Sequence, residues 1–568
     1  MTDWKIQKRI TAKPSKKRYQ AIVDYLFSSR GLKTPAAIKE FQQPIDPLQL
    51  TLQQVGIKPA SVKKSLIRVR QAIKDKQPIF IYGDYDADGV CATAIMWEAL
   101  YALGAQVLPF MPHREKHGYG LKPAGIDDIL SQSSIIKPLI ITVDNGIVAH
   151  QAVDYAGKQG VEVIITDHHQ PTEKLPKASG IVHTTQLSGA GVAWFFSREL
   201  LKKTQPRLIN SLLDMMVIGT VADMMPLIGV NRSLVKFGLE QLVKTKRFGL
   251  QILLKNAGLT GQPLSTYHLN FMLAPRINAT GRLGHALDSL RLMCTKDHQR
   301  ALALADKLGE INRQRQDLTQ TALDHALNKS SRQMTGQKLI FVADSSYHQG
   351  IIGLVAGKLS EKYSRPAIVI SQDKPFSRGS ARSVKKINLI KILRQFKDLF
   401  VDLGGHPMAA GFTIENKKLA LFKKKILAYA NRHFELKDLQ PSLTIDCQIE
   451  LTDISQQLYR TIDTFAPFGI GNPRPLFCSQ AVKVGRIRAV GSENKHLKLQ
   501  FHAPKSLLRG GRMDSSDGGT TFDAIAFNLG HLADQLQPGQ LIDVAYTIDE
   551  NFYNGRRSLQ MKVVAVKV

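Results

Sequence analysis

PIFIYGDYDADGVCATAI, residues 78–95, is the stretch from which the rest of the chain can be read. The apolar run 79–82 reads as a buried strand. Gly83 follows it, then carboxylates at alternate positions (Asp84, Asp86, Asp88), then Gly89 and a helical apolar pattern over 90–103. Three anions within five residues repel one another, so the turn is either fully solvated or neutralised by cations. Oxygen donors favour hard ions such as Mg²⁺, Mn²⁺ or Ca²⁺. An EF-hand loop also opens with alternate Asp residues and has Gly at its sixth position, but its twelfth must be Glu and here is Ile95. A P-loop follows a strand too, yet it ends in GKS or GKT and carries no wall of carboxylates. A metal site and a plain solvated turn remain.

Working outward, strand and helix patterns alternate to about residue 167, which predicts a parallel sheet built from βαβ units. Two more strand candidates end as the first does. Residues 139–143 (LIITV) run into Asp144, Asn145 and Gly146, and 161–166 (VEVIIT) run into Asp167, His168 and His169. In an open parallel sheet the carboxyl ends share one edge, where ligands bind, so these polar residues should converge. One Asp after a strand is ordinary turn chemistry; acids and imidazoles at three strand ends favour metal. A further acid, Asp223, follows a helical run at 208–218 among apolar neighbours in GTVADMMPL. A carboxylate there is costly unless paired or metal-bound, or else it caps the helix.

The 568 residues suit about three or four domains. Lys plus Arg number 77 against 47 Asp plus Glu, a formal charge of +30. That surplus favours a polyanionic partner, with nucleic acid foremost, because neutralising phosphates releases counterions. Cys91, Cys294, Cys447 and Cys478 are too scattered for a zinc ribbon or disulfide framework. There is no apolar leader and no apolar run of membrane-spanning length, so a soluble, cytoplasmic protein is expected.

The layout reads as a basic N-terminal arm (1–50), with helical candidates at 19–30 and 35–41, and an α/β domain (51–230). A helical connecting region (231–335), a second α/β domain (336–435) and a strand-rich tail (436–568) follow. Five strands in the tail suit an OB-like barrel that binds single strands. Lys483, Arg486, Arg488, Lys495 and Lys498, with Phe501, are its candidate contacts, and the polar stretch 509–519 reads as a mobile loop. Arg276, Asn278 and Arg282, in a segment bounded by Gly and Pro, suit contacts to phosphate and base edges.

With GDYDADG, VDNGI, DHH and GTVADMMPL in this order, the chain resembles the DHH phosphoesterase superfamily, and as a whole its RecJ branch. The resemblance continues through PRINATGRLG (275–284), INRQRQ (311–316), GIIGLVAGKL (350–359), GSARS (379–383), GGHPMAAGF (404–412) and PFGIGNPRPLF (467–477). One segment departs from the pattern: GIVHTTQ (180–186) passes quickly into SGAGVAW, where a longer Asn-Pro-containing stretch is expected.

The resemblance implies hydrolysis of single-stranded DNA from the 5′ end to mononucleotides, in recombination and repair. It also implies two ions, Mn²⁺ or Mg²⁺, per site. Carried onto this chain, the ligands are Asp86, Asp88, Asp144, His168 and Asp223, with Asp144 bridging and Asp84 a further or outer ligand. His169 and Asp167 orient water or phosphate. The second α/β domain binds substrate through Arg378, Ser380, Arg382 and His406, glycines letting N–H groups approach an anion. A RecQ-type helicase and a single-strand-binding protein are the implied partners. Two rivals stand beside this reading: a phosphodiesterase for short oligoribonucleotides or cyclic dinucleotides, and a non-catalytic single-strand binder. The charge and barrel-like tail oppose the first, and the full ligand set opposes the second.

Overall fold

The computed structural model describes residues 3–10, 15–132, 137–331, 336–503, 521–553 and 556–568; the stretch 509–519, read above as a loop, lies outside the described residues. Two units emerge. One comprises Met1–Ile45, Pro226–Arg232 and Ser442–Val568, the other Asp46–Met225 and Ser233–Pro441. The first 45 residues are therefore no free arm. Strand β1 (Asp3–Arg9) runs parallel to a strand at Ser442–Gln448, and helix α1 (Lys16–Ser28) is pinned where Arg18 Nε donates to Asp453 at 2.8 Å. Trp4 and Ile6 alternate with polar residues and pack beside Leu443, a weak strand signal within a lysine-rich run.

In the second unit, β2 (Ile79–Tyr82), β3 (Val107–Phe110), β4 (Leu139–Val143), β5 (Glu162–Asp167) and β6 (Gly180–His183) form a sheet ordered β3-β2-β4-β5-β6, parallel throughout. Every residue of β2 and β4 is buried, as befits central strands covered on both faces. Helix α2 (Ala87–Ala102) starts three residues before the periodicity suggests, because the Asp86 side chain accepts from Gly89 N at 3.0 Å and caps it. Helices α3 (Gly189–Leu201) and α4 (Leu213–Ala222) are almost wholly buried. The connecting region is helical as expected and includes α5 (Ala274–Leu283) and the 34-residue α6 (His298–Ser331).

The second sheet, also in this unit, is ordered β10-β11-β9-β8-β7. Strands β7 (Ile340–Asp344) and β8 (Ala367–Ser371) are parallel and connected through α7 (Ile352–Tyr363). Strands β9 (Phe376–Arg382), β10 (Phe400–His406) and β11 (Ala409–Glu415) are antiparallel, and α8 (Leu419–His433) follows. The glycine-rich GSARS and GGHPMAAGF thus lie in strands and a tight connection, not in anion-binding turns. Gly379 is there because a Cβ would stand 2.1 Å from the Phe412 ring.

Back in the first unit, β12 (Ser442–Gln448), β13 (Phe477–Val490), β14 (His496–His502), β15 (Thr521–Ala526), β16 (Leu541–Tyr553) and β17 (Arg556–Lys567) complete the chain. The order β13-β14-β15-β17-β16 closes on itself because the 14-residue β13 also pairs with β16. Register shifts at Ser479/Val482 and Val484/Ile487 bend β13 enough to reach both neighbours. The expected OB-like barrel is present. Phe501 is fully buried in its core and is no DNA contact, whereas Lys483, Arg486, Arg488, Lys495 and Lys498 are exposed.

Candidate metal centre

Three strand ends and one helix end converge at the carboxyl edge of the first sheet. Beyond β2 lies the Asp84–Asp88 turn. Beyond β4, Asp144 turns the chain with φ +62°, a left-handed conformation that Asp tolerates better than most residues. His168 and His169 follow β5, and Asp223 caps the C-terminus of α4. Their donor atoms form three overlapping groups, each within 4.8 Å: Asp144, His168 and His169; Asp88, His168 and Asp223; Asp84, Asp86 and Asp144. His168 Nε2 lies 3.1 Å from Asp144 Oδ1 and 3.9 Å from Asp88 Oδ2, while Nδ1 is 3.7 Å from Asp223 Oδ2.

Two glycines that the sequence reading passed over make this convergence possible. Asp88 accepts from Gly189 N (2.7 Å) and Ala190 N (2.9 Å) at the start of α3, so the departure after GIVHTTQ leads straight into groups that hold a candidate ligand. A Cβ on Gly189 would stand 2.4 Å from Asp144 Oδ1, and one on Gly219 would stand 2.4 Å from Asp88 Oδ1. The available signal was a glycine in each of SGAGVAW and GTVADMM. Asn145 holds the strand ends in register through Nδ2, which donates to the carbonyls of Gly83 (3.1 Å) and Val143 (2.9 Å).

Anions this close and this dry resist ionisation. Burial first, then neighbouring carboxylates, raises Asp84 and Asp223 to about 8, Asp88 to about 7, and Asp144 well above the usual carboxylate range. Burial lowers His168 to about 4, keeping its imidazole neutral and able to ligate. Asp144 Oδ1 is buried, accepts no hydrogen bond and faces the His168 ring, an arrangement a cation completes. A hard, oxygen-rich donor set with imidazole fits Mn²⁺, and Mg²⁺ in its place.

Carboxylates with a folded pKa above the unfolded value stabilise the fold fully below about pH 4 and lose that contribution as pH rises through about 7 to 8. Metal-stripped protein should therefore show a melting temperature that falls between pH 6 and pH 9, and added Mn²⁺ should flatten the dependence. Scanning calorimetry in chelator, with and without Mn²⁺, checks this.

Behind His168 sits a second line of groups. Asp167 accepts from Ile147 N (2.8 Å), His168 N (2.7 Å) and His169 Nδ1 (2.8 Å). Burial would raise Asp167, but the His169 hydrogen bond and charge outweigh it and hold its pKa below the usual range. Burial would likewise lower His169, but its bond to Asp167 and the surrounding carboxylates raise it to about 9. Tyr119 Oη lies 2.8 Å from His169 Nε2 and so fixes the ring's other nitrogen; nothing in the sequence marked Tyr119 beyond its glycine neighbours in GYG. Asp167→Asn should lower the His169 pKa from about 9, since the carboxylate that raises it is lost; an NMR titration of the imidazole ring reads the change.

Beside the centre, within the same unit, runs a cleft of about 230 Å³ lined by Arg114, Arg282, Arg378, Arg382, Ser380 and Tyr119. Arg114 stacks on Tyr85, its guanidinium 5.2 Å from the ring centre. Burial, then Arg114, Arg315 and Arg382, lowers Arg282 to about 10, so the cleft holds more cation than its one lining acid, Asp402, can balance. The glycines of GIIG make room: a Cβ on Gly350 would strike the Arg282 carbonyl and one on Gly353 the Arg382 guanidinium. Of the expected substrate residues, Arg282, Arg378, Ser380 and Arg382 meet here. The others do not. Asn278 Oδ1 accepts from Ala87 N at 2.7 Å and braces the acidic turn, Arg276 is bonded to the Met272 carbonyl, and His406 is exposed on β10 outside the lining.

The DHH family N-terminal domain matches residues 78–220, the DHHA1 domain 336–432 and the RecJ OB domain 445–565. Over 539 residues, 93% of the chain, identity to the single-stranded-DNA-specific exonuclease RecJ of Thermus thermophilus is 33%, covering 73% of that protein. The chain belongs to the RecJ family. The Bacillus subtilis member is 34% identical over 88% of the chain, which spans 63% of that longer protein. Within the family, the crystal structure of Thermus thermophilus RecJ in complex with Mn²⁺ superimposes with a TM-score of 0.80 at 29% identity, over 100% of this chain and 80% of that one. The same protein is also solved with Mg²⁺. Those are the ions the donor set here fits.

Proposed function

We propose that the chain is a single-stranded-DNA-specific exonuclease that cuts from the 5′ end and releases 5′-mononucleotides, in recombination and repair. The carrying observation is the overlap of three donor groups through shared Asp144 and His168, which suits two adjacent ions. In this reading Asp86, Asp88, Asp144, His168 and Asp223 hold the ions, with Asp144 between them and Asp84 at the margin. Bound there, divalent ions neutralise phosphoryl oxygens and lower the pKa of an attacking water.

The chain's own groups do the rest. His169, held by Asp167 and Tyr119, presents a protonated imidazole that orients the phosphate or passes a proton. Arg282, Arg378 and Arg382 bind the phosphate backbone in the arginine-rich cleft, and Arg114 on Tyr85 extends that contact. The exposed basic residues of the barrel supply a single-strand surface. Partners suited to this reaction are a RecQ-type helicase, which supplies single strands, and a single-strand-binding protein. Among the described residues no helix is long and apolar enough to cross a membrane, and the reading places the reaction in the cytoplasm.

The test is digestion of a long oligonucleotide labelled at either end, with Mn²⁺ or Mg²⁺. Loss of the 5′ label first, as mononucleotide, with duplex and dinucleotide both poor substrates, is the expected result. Loss of the 3′ label first, or equal rates on duplex and single strands, would overturn the reading.

A further inference from the structure

Strands β9, β11 and β10 line the arginine-rich cleft with one face, on which cross-strand partners fall into rows. Arg378, Thr413 and Asp402 make one row; Ser380, Gly411 and Gly404 make the next. Glycine inside a strand weakens it, and a positive φ or a neighbour too close for a Cβ normally explains its presence. Gly405 has both reasons, at φ +137° with the Ala409 carbonyl oxygen 2.3 Å from its Cβ position. Gly404 and Gly411 have neither. Both are exposed, neither has a positive φ, and nothing among the described residues lies within 4 Å of a Cβ on either. Their bareness serves something outside the chain.

The cleft is electrically two-ended. Arg114, Arg282 and Arg382 crowd one end: burial, then Arg114, Arg315 and Arg382, depress Arg282, and burial, then Arg114, depress Arg382. Arg382 Nη1 also donates to Ser380 Oγ at 3.1 Å, and its guanidinium stands beside Gly353 at the start of α7. The other end holds Asp402, exposed and without an ion pair among the described residues, its backbone about 10 Å from that of Arg378 across two strand spacings. A phosphate is drawn to the first end and repelled at the second. A volume of about 230 Å³ has room for one nucleotide and not for a run of them.

We propose, on the reading of this cleft as the seat of DNA phosphates, that Gly411 and Gly404 floor the seat of one nucleobase, that of the 5′-terminal nucleotide whose phosphate Arg114, Arg282 and Arg382 hold. A bare stretch of strand presents a flat surface on which the planar ring of any base can lie, because every base has the same kind of face. Asp402 and Thr413 border that surface with groups that meet the edge of a base, and the carboxylate keeps a second phosphate away. A side chain at position 411 would take the space of the ring.

The probes are dAMP and 2-deoxyribose 5-phosphate, which share the phosphate and differ by the base, titrated calorimetrically into the full chain with Mn²⁺. The parent protein should bind dAMP about tenfold more tightly. Gly411→Val should weaken dAMP about tenfold and leave the sugar phosphate unchanged, at a melting temperature equal to or above the parent's, since a β-branched side chain suits a strand and meets nothing there. If the valine variant loses stability, Gly411→Ala carries the same comparison with an effect of about threefold. In digestion, Gly411→Val should raise KM for an intact strand and not for one whose 5′-terminal residue is abasic. No preference for dAMP in the parent, dAMP affinity untouched by Gly411→Val, an equal loss for both probes, or an equal rise in KM on both strands would each overturn the base seat alone. Binding of neither probe would remove the phosphate reading of the cleft with it.

Discussion

Asp144→Asn should abolish manganese-dependent nucleotide release, by about 10³-fold or more, while binding of a single-stranded oligonucleotide stays within about twofold. Asp144 is common to two of the three donor groups, so losing its charge weakens both groups at once. About 4 kcal/mol of lost transition-state stabilisation corresponds to that factor. Asn is the informative replacement because the residue sits at φ +62°, which Asn accepts and Ala resists by roughly 1–2 kcal/mol. Single-turnover kinetics with a parallel binding titration checks it. Retained activity would remove Asp144 from the centre.

The second large effect is expected at a residue that has no side chain of its own. Gly219→Ala would place a methyl 2.4 Å from Asp88 Oδ1 and 2.5 Å from the Ala190 Cβ, where α2, α3 and α4 pack. Overpacking of this kind costs about 1–3 kcal/mol, and here the group pushed aside is a candidate ligand. The expected result is a lower melting temperature together with roughly 10²-fold lower activity at limiting Mn²⁺, partly restored by excess Mn²⁺. Gly157→Ala is the control, because nothing lies within 4 Å of its Cβ position, and it should be neutral or slightly stabilising. Calorimetry and Mn²⁺ titrations on both variants separate a displaced ligand from mere loss of fold.

The centre was legible because its residues obey a local rule. Asp84, Asp144 and His168 each follow an apolar strand, and a parallel sheet sends every such end to one edge whatever the details of packing. The clefts and clamps were not legible. Gly189 N reaches Asp88 across 101 residues, and Tyr119 reaches His169 across 50, contacts with no periodicity to announce them. Asn278 looked like a substrate residue and turned out to hold the acidic turn, because composition tells what a side chain can bond but not what lies beside it.

By itself the sequence determined the parallel sheet, the acids and imidazoles that follow its strands and the basic character that suits a polyanion, all of which follow from hydrophobic alternation and charge along the chain. Only the tertiary structure decided that β1 joins the barrel unit, that the barrel closes through β13, that glycine-rich segments are strands beside aromatic rings, and which arginines line the cleft. The physical reason is that periodicity records how a residue meets its near neighbours, whereas closure, close approach and burial of a charge depend on atoms brought from elsewhere in the chain.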